Sequence, residues 1–376
     1  MQNKEKTMVY PFDYNFMPVL RNRDLLRQYV ITKLVSPRGW GLEGKDAGTA
    51  FYDQSNGMVI SSDFEEGLSA VSWVMFVDPG NAINFKKLIY PKMVNAIEAG
   101  KNILCHYRDI EEELLQQLRE KSRAHSIQFI SAPDQAAAEP FTSEVEYLKL
   151  LDIDTPVVSV LGFSERVNKF DTQLLLRSGL QTRGYKVSQI GSRDYCEILD
   201  FHSFPRFMYD THLSEVSKIV LFNQFVKRIE KQERPDIIII GVPGGVMPFN
   251  NQFTNRFGIM AYMLSQAVPP DTAILNCHFD NYNKEYFEKI RTTLKYKLGA
   301  ELCCSVMPNV FFDFTASKEA DKEIYLNVNS RLVDKMVEGL AGLDPPVFSL
   351  TANNSKAEIT TCVIEHLAQY AAVASF

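Results

Sequence analysis

Long apolar runs are missing from this chain. Its apolar stretches, such as Val71–Val77 and Ile237–Ile240, are of strand length, well short of the ~20 residues that a membrane-spanning helix needs. The opening MQNKEKTMVYPFDYNF has no apolar core of signal-peptide length. An excess of positive charge is missing too. The chain has 40 Lys and Arg against 46 Asp and Glu, a formal net charge of −6, so no broad nucleic-acid-binding face is expected. Cysteine is sparse, with six residues at 105, 196, 277, 303, 304 and 362 and no C-x-x-C pair. That pattern argues against a zinc knuckle or a disulfide framework. The cysteines read as reduced core residues of a cytoplasmic protein. A metal cluster would need thiolates converging from distant segments, and nothing in the spacing invites that. No G-x-G-x-x-G follows the first predicted strand, so no dinucleotide site is claimed.

What is present is an ordinary globular composition, 45% hydrophobic and 23% charged over 376 residues, enough for two or three domains. Strand-length apolar runs alternate with helical segments, which predicts an α/β protein of two domains. Residues 1–135 read as a Rossmann-like parallel sheet, with strands at Thr7–Asp13, Tyr29–Val35, Val71–Val77, Asn102–His106 and Ile127–Ile130. Helices are expected at Pro18–Arg27, Pro91–Glu98 and Ile110–Lys121. Ser131–Pro140, rich in alanine and proline, is the candidate linker, and 136–152 is treated as linker and lead-in. Residues 153–376 read as a P-loop-like, doubly wound parallel sheet. Its predicted strands include Lys186–Ile190, Thr272–Asn276, Leu302–Met307 and Val347–Leu350, with helices at Leu213–Lys231, Phe257–Ala267 and Tyr286–Leu298.

Two stretches approach a phosphate-binding pattern. Gly39–Asp46 spells G-x-x-x-x-G-K-D. No helical stripe follows it, and a phosphate loop needs a helix whose first N–H groups face the anion. It therefore reads as a flexible surface loop. Pro156–Tyr185 has the better context: a buried strand at Val157–Leu161, a turn at Gly162, then a helix carrying Lys169 near its start. The loop is one residue longer than G-x-x-x-x-G-K-[ST]. Asn168 stands where glycine is usual, and Phe170 follows the lysine.

Parallel strands converge at their C-terminal ends, where open α/β sheets bind ligands. That rim would carry Gly162–Lys169, Ser192–Asp194, Gly241–Gly245 and Cys277–Asp280. Gly162, Ser164, Asn168, Lys169, Thr172, Gly244 and Gly245 are the candidate phosphate-binding residues, with ATP or GTP as the expected cofactor. Asp171 and Thr172 are the candidate ligands of its magnesium ion. Lys169, Asp194, His278 and Asp280 are the candidate catalytic groups, able to stabilise charge, hold metal or move protons. His202 and Arg206, in the aromatic segment 195–209, read as polar groups satisfied inside that segment. One expected group is lacking. A phosphate-loop hydrolase carries an acid at the end of its second motif strand. Here that strand ends in Gly241, and Asp236 lies at the opposite end.

The run G-x-x-x-x-x-N-K-F-D-T-Q-L, Gly162–Leu174, resembles the longer phosphate loop of two-domain bacterial proteins that join a Rossmann-like domain to a phosphate-loop domain. Some of those are amino-acid N-acetyltransferase-like. SPRGWGLEGKDAG (36–48), NKFDTQLLLR (168–177), YKVSQIGSRDYCE (185–197), FHSFPRFM (201–208) and GVPGGVMPFNN (241–251) are similar to phrases of the peptide maturation system proteins. Those proteins are encoded beside radical-SAM enzymes. The resemblance implies an accessory role in making a modified ribosomal peptide, with a precursor peptide and a radical-SAM enzyme as partners. No nucleic-acid or membrane partner is expected, and a homodimer is left open. The alternatives are a non-catalytic peptide-binding scaffold and a transferase using a phosphorylated or CoA-like donor.

Overall fold

The computed structural model describes residues 4–79, 83–107, 110–131, 149–193 and 195–373. Nearly all of the expected linker, the lead-in up to residue 148, and Asp194 lie outside the described residues. The chain divides into two compact units, 1–140 with 193–203, and 141–192 with 204–376.

The first unit holds six strands: β1 (Glu5–Tyr10), β2 (Tyr29–Val35), β3 (Ile60–Ser61), β4 (Trp73–Val77), β5 (Asn102–His106) and β6 (Phe129–Ser131). They hydrogen-bond in the order β3-β2-β1-β4-β5-β6, every pair parallel. A parallel sheet is covered on both faces, so its inner strands lose polar alternation. The WVMFV of β4 is buried at all five positions. The helix expected over Pro18–Arg27 is broken. It runs only Met17–Arg21 before a tight turn at Arg23–Leu25. Asn22 ends it by donating its side-chain amide to the Pro18 carbonyl, 2.9 Å, the local competition with helix geometry that asparagine offers. His106 is buried, and its ring meets Tyr195 edge-on at 5.9 Å.

The glycine loop 36–48 is tied down, which corrects its reading as flexible. The Asp46 carboxylate accepts from the amides of Gly48, Thr49, Asn56 and Gly57 and from the Ser55 hydroxyl. Burial opposes its charge, and those hydrogen bonds more than offset the opposition, so the group titrates below the usual carboxylate range.

The second unit's sheet contains β7 (Val157–Gly162), β8 (Val187–Gly191), β10 (Ile237–Gly241), β11 (Thr272–Asn276), β12 (Leu302–Met307) and β15 (Val347–Ser349). They run in the order β15-β12-β11-β7-β10-β8. The two-residue β9 (His202–Ser203) belongs to the first unit. The registers of β7, β8, β10, β11, β12 and β15 are parallel. A short antiparallel ribbon, β13 (Val310–Phe312) with β14 (Tyr325–Asn327), accompanies them. The α/β expectation of two parallel sheets therefore holds.

Strand order decides where this sheet can bind a ligand. From β7 the chain goes to β8 and back to β10 on one side, then crosses to β11 and β12 on the other. β7 thus sits where the winding reverses, and the carboxyl end of such a strand is where open α/β sheets bind ligands. Every residue of β7 and β10 is buried.

One predicted helix starts late. Instead of Phe257, it begins at Ile259. The preceding residues Asn255, Arg256, Phe257 and Gly258 all take positive φ, at 46°, 51°, 58° and 69°. Such a left-handed turn costs roughly 1–2 kcal/mol for each residue with a Cβ, so its neighbours must hold it. Asn255 Nδ2 donates to the carbonyls of Phe163 (3.0 Å) and Met247 (2.9 Å). Lys297 Nζ donates to those of Val246 (3.0 Å) and Phe257 (3.2 Å).

Candidate functional site

The loop after β7 is built by its neighbours. Phe163 N donates to Asn276 O at the end of β11, and Val246 N donates to Gly162 O, each at 3.0 Å. The loop is thereby sewn to the segments following both flanking strands. A helix, Lys169–Thr182, starts directly behind it. Asn168, immediately before that helix, has φ 54° and ψ 30°. This is the left-handed conformation that glycine adopts without cost and that asparagine, among residues with a Cβ, tolerates best. The departure from the glycine pattern thus preserves the backbone shape.

Lys169 is buried, with its ammonium turned back into the loop. Nζ donates to the carbonyls of Ser164 (2.5 Å) and Gly244 (2.8 Å), with a longer contact to Glu165 O (3.4 Å). Its stem passes so close to Gly162 that a Cβ there would stand 2.8 Å from Lys169 Cδ and 2.6 Å from Val167 Cγ2. Gly162 is the one residue type that admits this lysine. Gly244, at φ 77°, turns its segment so that its carbonyl meets the ammonium. A Cβ on Gly245 would stand 2.5 Å from Phe163 O, so that glycine lets the two loops touch.

Thr172 and Asp171 lie in the first turn of the helix and are both buried. The Thr172 hydroxyl accepts from Asn276 Nδ2 at 2.8 Å, and the same amide donates to Val167 O at 2.9 Å. Asn276 therefore clasps both ends of the loop's second half. On the other flank, Gln173 fills the space beside Gly241. A Cβ on that glycine would stand 2.2 Å from the Gln173 amide. The strand end where an acid was looked for is occupied by a neutral side chain. Asp236, at the far end of β10, accepts from Lys186 N at 2.7 Å, a purely architectural bond.

His278 lies under the loop. Its Nε2 is 2.9 Å from the Ser164 hydroxyl, and the Tyr325 hydroxyl is 3.3 Å from the same Ser164 oxygen. Phe249, Phe312 and Tyr325 surround the imidazole, with ring centroids 5.3, 5.7 and 5.9 Å away. Burial in this aromatic box, aided by the positive charge of Lys169, pushes the His278 pKa down to about 3. The ring is neutral at physiological pH. Arg166, on the exposed shoulder of the loop, places its guanidinium 5.6 Å from the Tyr325 ring centroid.

The structure thus gathers Gly162, Ser164, Asn168, Lys169, Thr172, Gly244, Gly245 and His278 around one loop. Asp280 is exposed and accepts from its own neighbour, Asn281 N, at 2.7 Å. Sequence reasoning missed Asn276, Gln173, Asn255 and Tyr325. Asn276 carried a signal, since a polar residue ending the apolar run TAILN faces the rim. Tyr325 carried none, because its ribbon lies among polar residues without a strand pattern.

No family model matches the chain, and no curated protein sequence matches it. Among solved structures, a DUF1611 family protein from Anabaena variabilis is similar over 97% of this chain and 100% of that chain, with a TM-score of 0.61 and 12% identity. The fold is shared. Chloroplast FtsY from Physcomitrella patens aligns over 61% of this chain and 75% of that one, at a TM-score of 0.26 and 12% identity. An oxidoreductase from Pseudomonas syringae aligns over 49% and 54%, at 0.27 and 16%. Likeness at those two scores implies nothing for this chain.

Proposed function

We propose that the second unit binds the phosphates of a nucleotide, ATP or GTP, in the loop 162–169, and that the protein acts as a nucleotide-binding accessory factor. The observation that carries this reading is Lys169. Its ammonium is held inside the loop by carbonyls from both Ser164 and Gly244, at the point where the sheet reverses its winding. Carbonyl dipoles are neutral partners for a buried cation, and a phosphate oxygen would bind it more strongly. The N-terminal amides of the helix beginning at Lys169 add their partial positive charge to the same spot. Arg166 supplies a second cation on the loop.

Fast hydrolysis is not part of the proposal. Gly241 and Gln173 occupy the place of the acid that would steady a metal. Thr172, buried on Asn276, is not presented as an open ligand. Magnesium would arrive with the nucleotide, and its chemistry there would be to neutralise phosphate charge. His278, neutral and weakly basic, would fix Ser164 and the loop rather than abstract a proton. The five phrases similar to peptide maturation proteins support a precursor peptide and a radical-SAM enzyme as the partners served. The same absence of a strand-end acid favours, as second reading, a scaffold that binds nucleotide without turning it over.

Phosphate release during incubation with ATP or GTP and magnesium tests the absence of fast turnover that both readings share. The proposal expects saturable binding with turnover below about one per minute, against the 1–1000 per second usual for enzymes. Rapid multiple turnover would reject it.

A further inference from the structure

Away from the loop, the second unit gathers three thiols. Cys303 and Cys304 are neighbours on β12, and Cys362 lies on the helix Ser355–Val373. Successive strand residues point to opposite faces, so adjacent cysteines ordinarily cannot share a site. Here the strand register slips. Ala273 pairs with Leu302, while Ile274 pairs with Cys304. Cys303 is the extra residue of a bulge, and a bulge re-aims a side chain. The two Sγ atoms come to 3.8 Å, and all three sulfurs lie within 4.8 Å of one another. Cys362 Sγ also donates to Cys303 O at 3.3 Å.

That spacing has a chemical meaning. Zinc–sulfur bonds of about 2.3 Å arranged tetrahedrally set neighbouring sulfurs about 3.8 Å apart. Core cysteines packed merely as small apolar groups need no break in the strand register. Three thiolates select a soft or borderline cation and disfavour magnesium or calcium. Three of the six cysteines thus converge, which their spacing in the sequence does not show.

We propose that Cys303, Cys304 and Cys362 bind one zinc ion. The thiols give up their protons to solvent as the Zn–S bonds form. The ion would bolt the helix Ser355–Val373 to β12, and the site does not depend on the nucleotide reading.

The test is metal content and cobalt spectroscopy on the full chain, expressed with zinc and dialysed against metal-free buffer. The expected result is about one zinc per chain. After removal of zinc, Co(II) should give a thiolate charge-transfer band and the visible bands of a tetrahedral site. Cys362→Ser, at the half-buried position, should lose zinc affinity at least about tenfold with unchanged far-UV circular dichroism. Wild-type protein that retains no zinc and gives no Co(II)–thiolate band overturns the proposal, as does a Cys362→Ser variant that binds like wild type. Should that variant fail to fold, alkylation of the wild type decides. Zinc should shield three thiols from iodoacetamide until chelator is added, and equal labelling with and without zinc overturns the site.

Discussion

Three residues at the loop show how backbone shape, burial and charge combine. Asn168 holds a left-handed conformation that an alanine would occupy at a cost of roughly 1 kcal/mol or more. Asn168→Ala should lower the urea midpoint accordingly, while Asn168→Gly should match wild type or exceed it. An equal loss in both variants would show that the side chain, not the backbone angle, matters. His278 gives a pH prediction. Its native pKa of about 3 lies below the ordinary histidine value of 6.5, so between those values the unfolded chain binds a proton that the native chain does not. Its contribution is full above pH 6.5 and is lost as pH falls toward 3, with a slope approaching about 1.4 kcal/mol per pH unit. His278→Gln should flatten the stability curve in that window. A curve of unchanged steepness would mean that other groups set it. Bound phosphate, by drawing Lys169 away and adding negative charge, should raise the His278 pKa, which NMR titration of the ring would read.

Among the elements, periodicity and run length had uneven reach. Tyr29–Val35, Asn102–His106, Thr272–Asn276 and Leu302–Met307 are strands at the bounds their residues predict, because buried parallel strands announce themselves as continuous apolar runs between turn residues. The left-handed turn Asn255–Gly258 was not legible. Asn255 and Gly258 suit positive φ, but Arg256 and Phe257 between them do not announce it, and the turn persists through tertiary hydrogen bonds from Asn255 and Lys297. The Gly258 position is its tightest point, where a Cβ would stand 2.1 Å from Val246 O at φ 69°. Gly258→Ala should cost at least ~2 kcal/mol, seen as a lower urea midpoint, and should loosen the phosphate loop through Asn255. Wild-type stability would show that the turn rearranges freely. The phosphate loop itself was half legible. Strand, glycine, lysine and helix could be read in order. The clasp of Asn276 on Thr172 and the Gln173 amide beside Gly241 are contacts between segments far apart in sequence, which no local pattern records.

For the whole molecule, two parallel sheets followed from the alternation of elements along the chain, and the likeness to the Anabaena variabilis protein extends over 97% of it. Among the described residues, no helix is long and apolar enough to cross a membrane. What the alternation could not give is strand order, and strand order is what puts β7 at the reversal of the winding. A ligand that binds only the folded chain raises its stability by about 2.7 kcal/mol at a hundred times its Kd. ATP or GTP at such concentrations should therefore raise the melting temperature measurably, whereas adenosine or guanosine, lacking phosphates, should not.

Isothermal titration calorimetry of ATP and GTP, with magnesium, into wild type and Lys169→Ala tests the phosphate-loop account most directly. It predicts one saturable site per chain in wild type, and at least about tenfold weaker binding, a loss of ~1.4 kcal/mol, in the variant. Binding of neither nucleotide to wild type, or equal binding to both proteins, would contradict it.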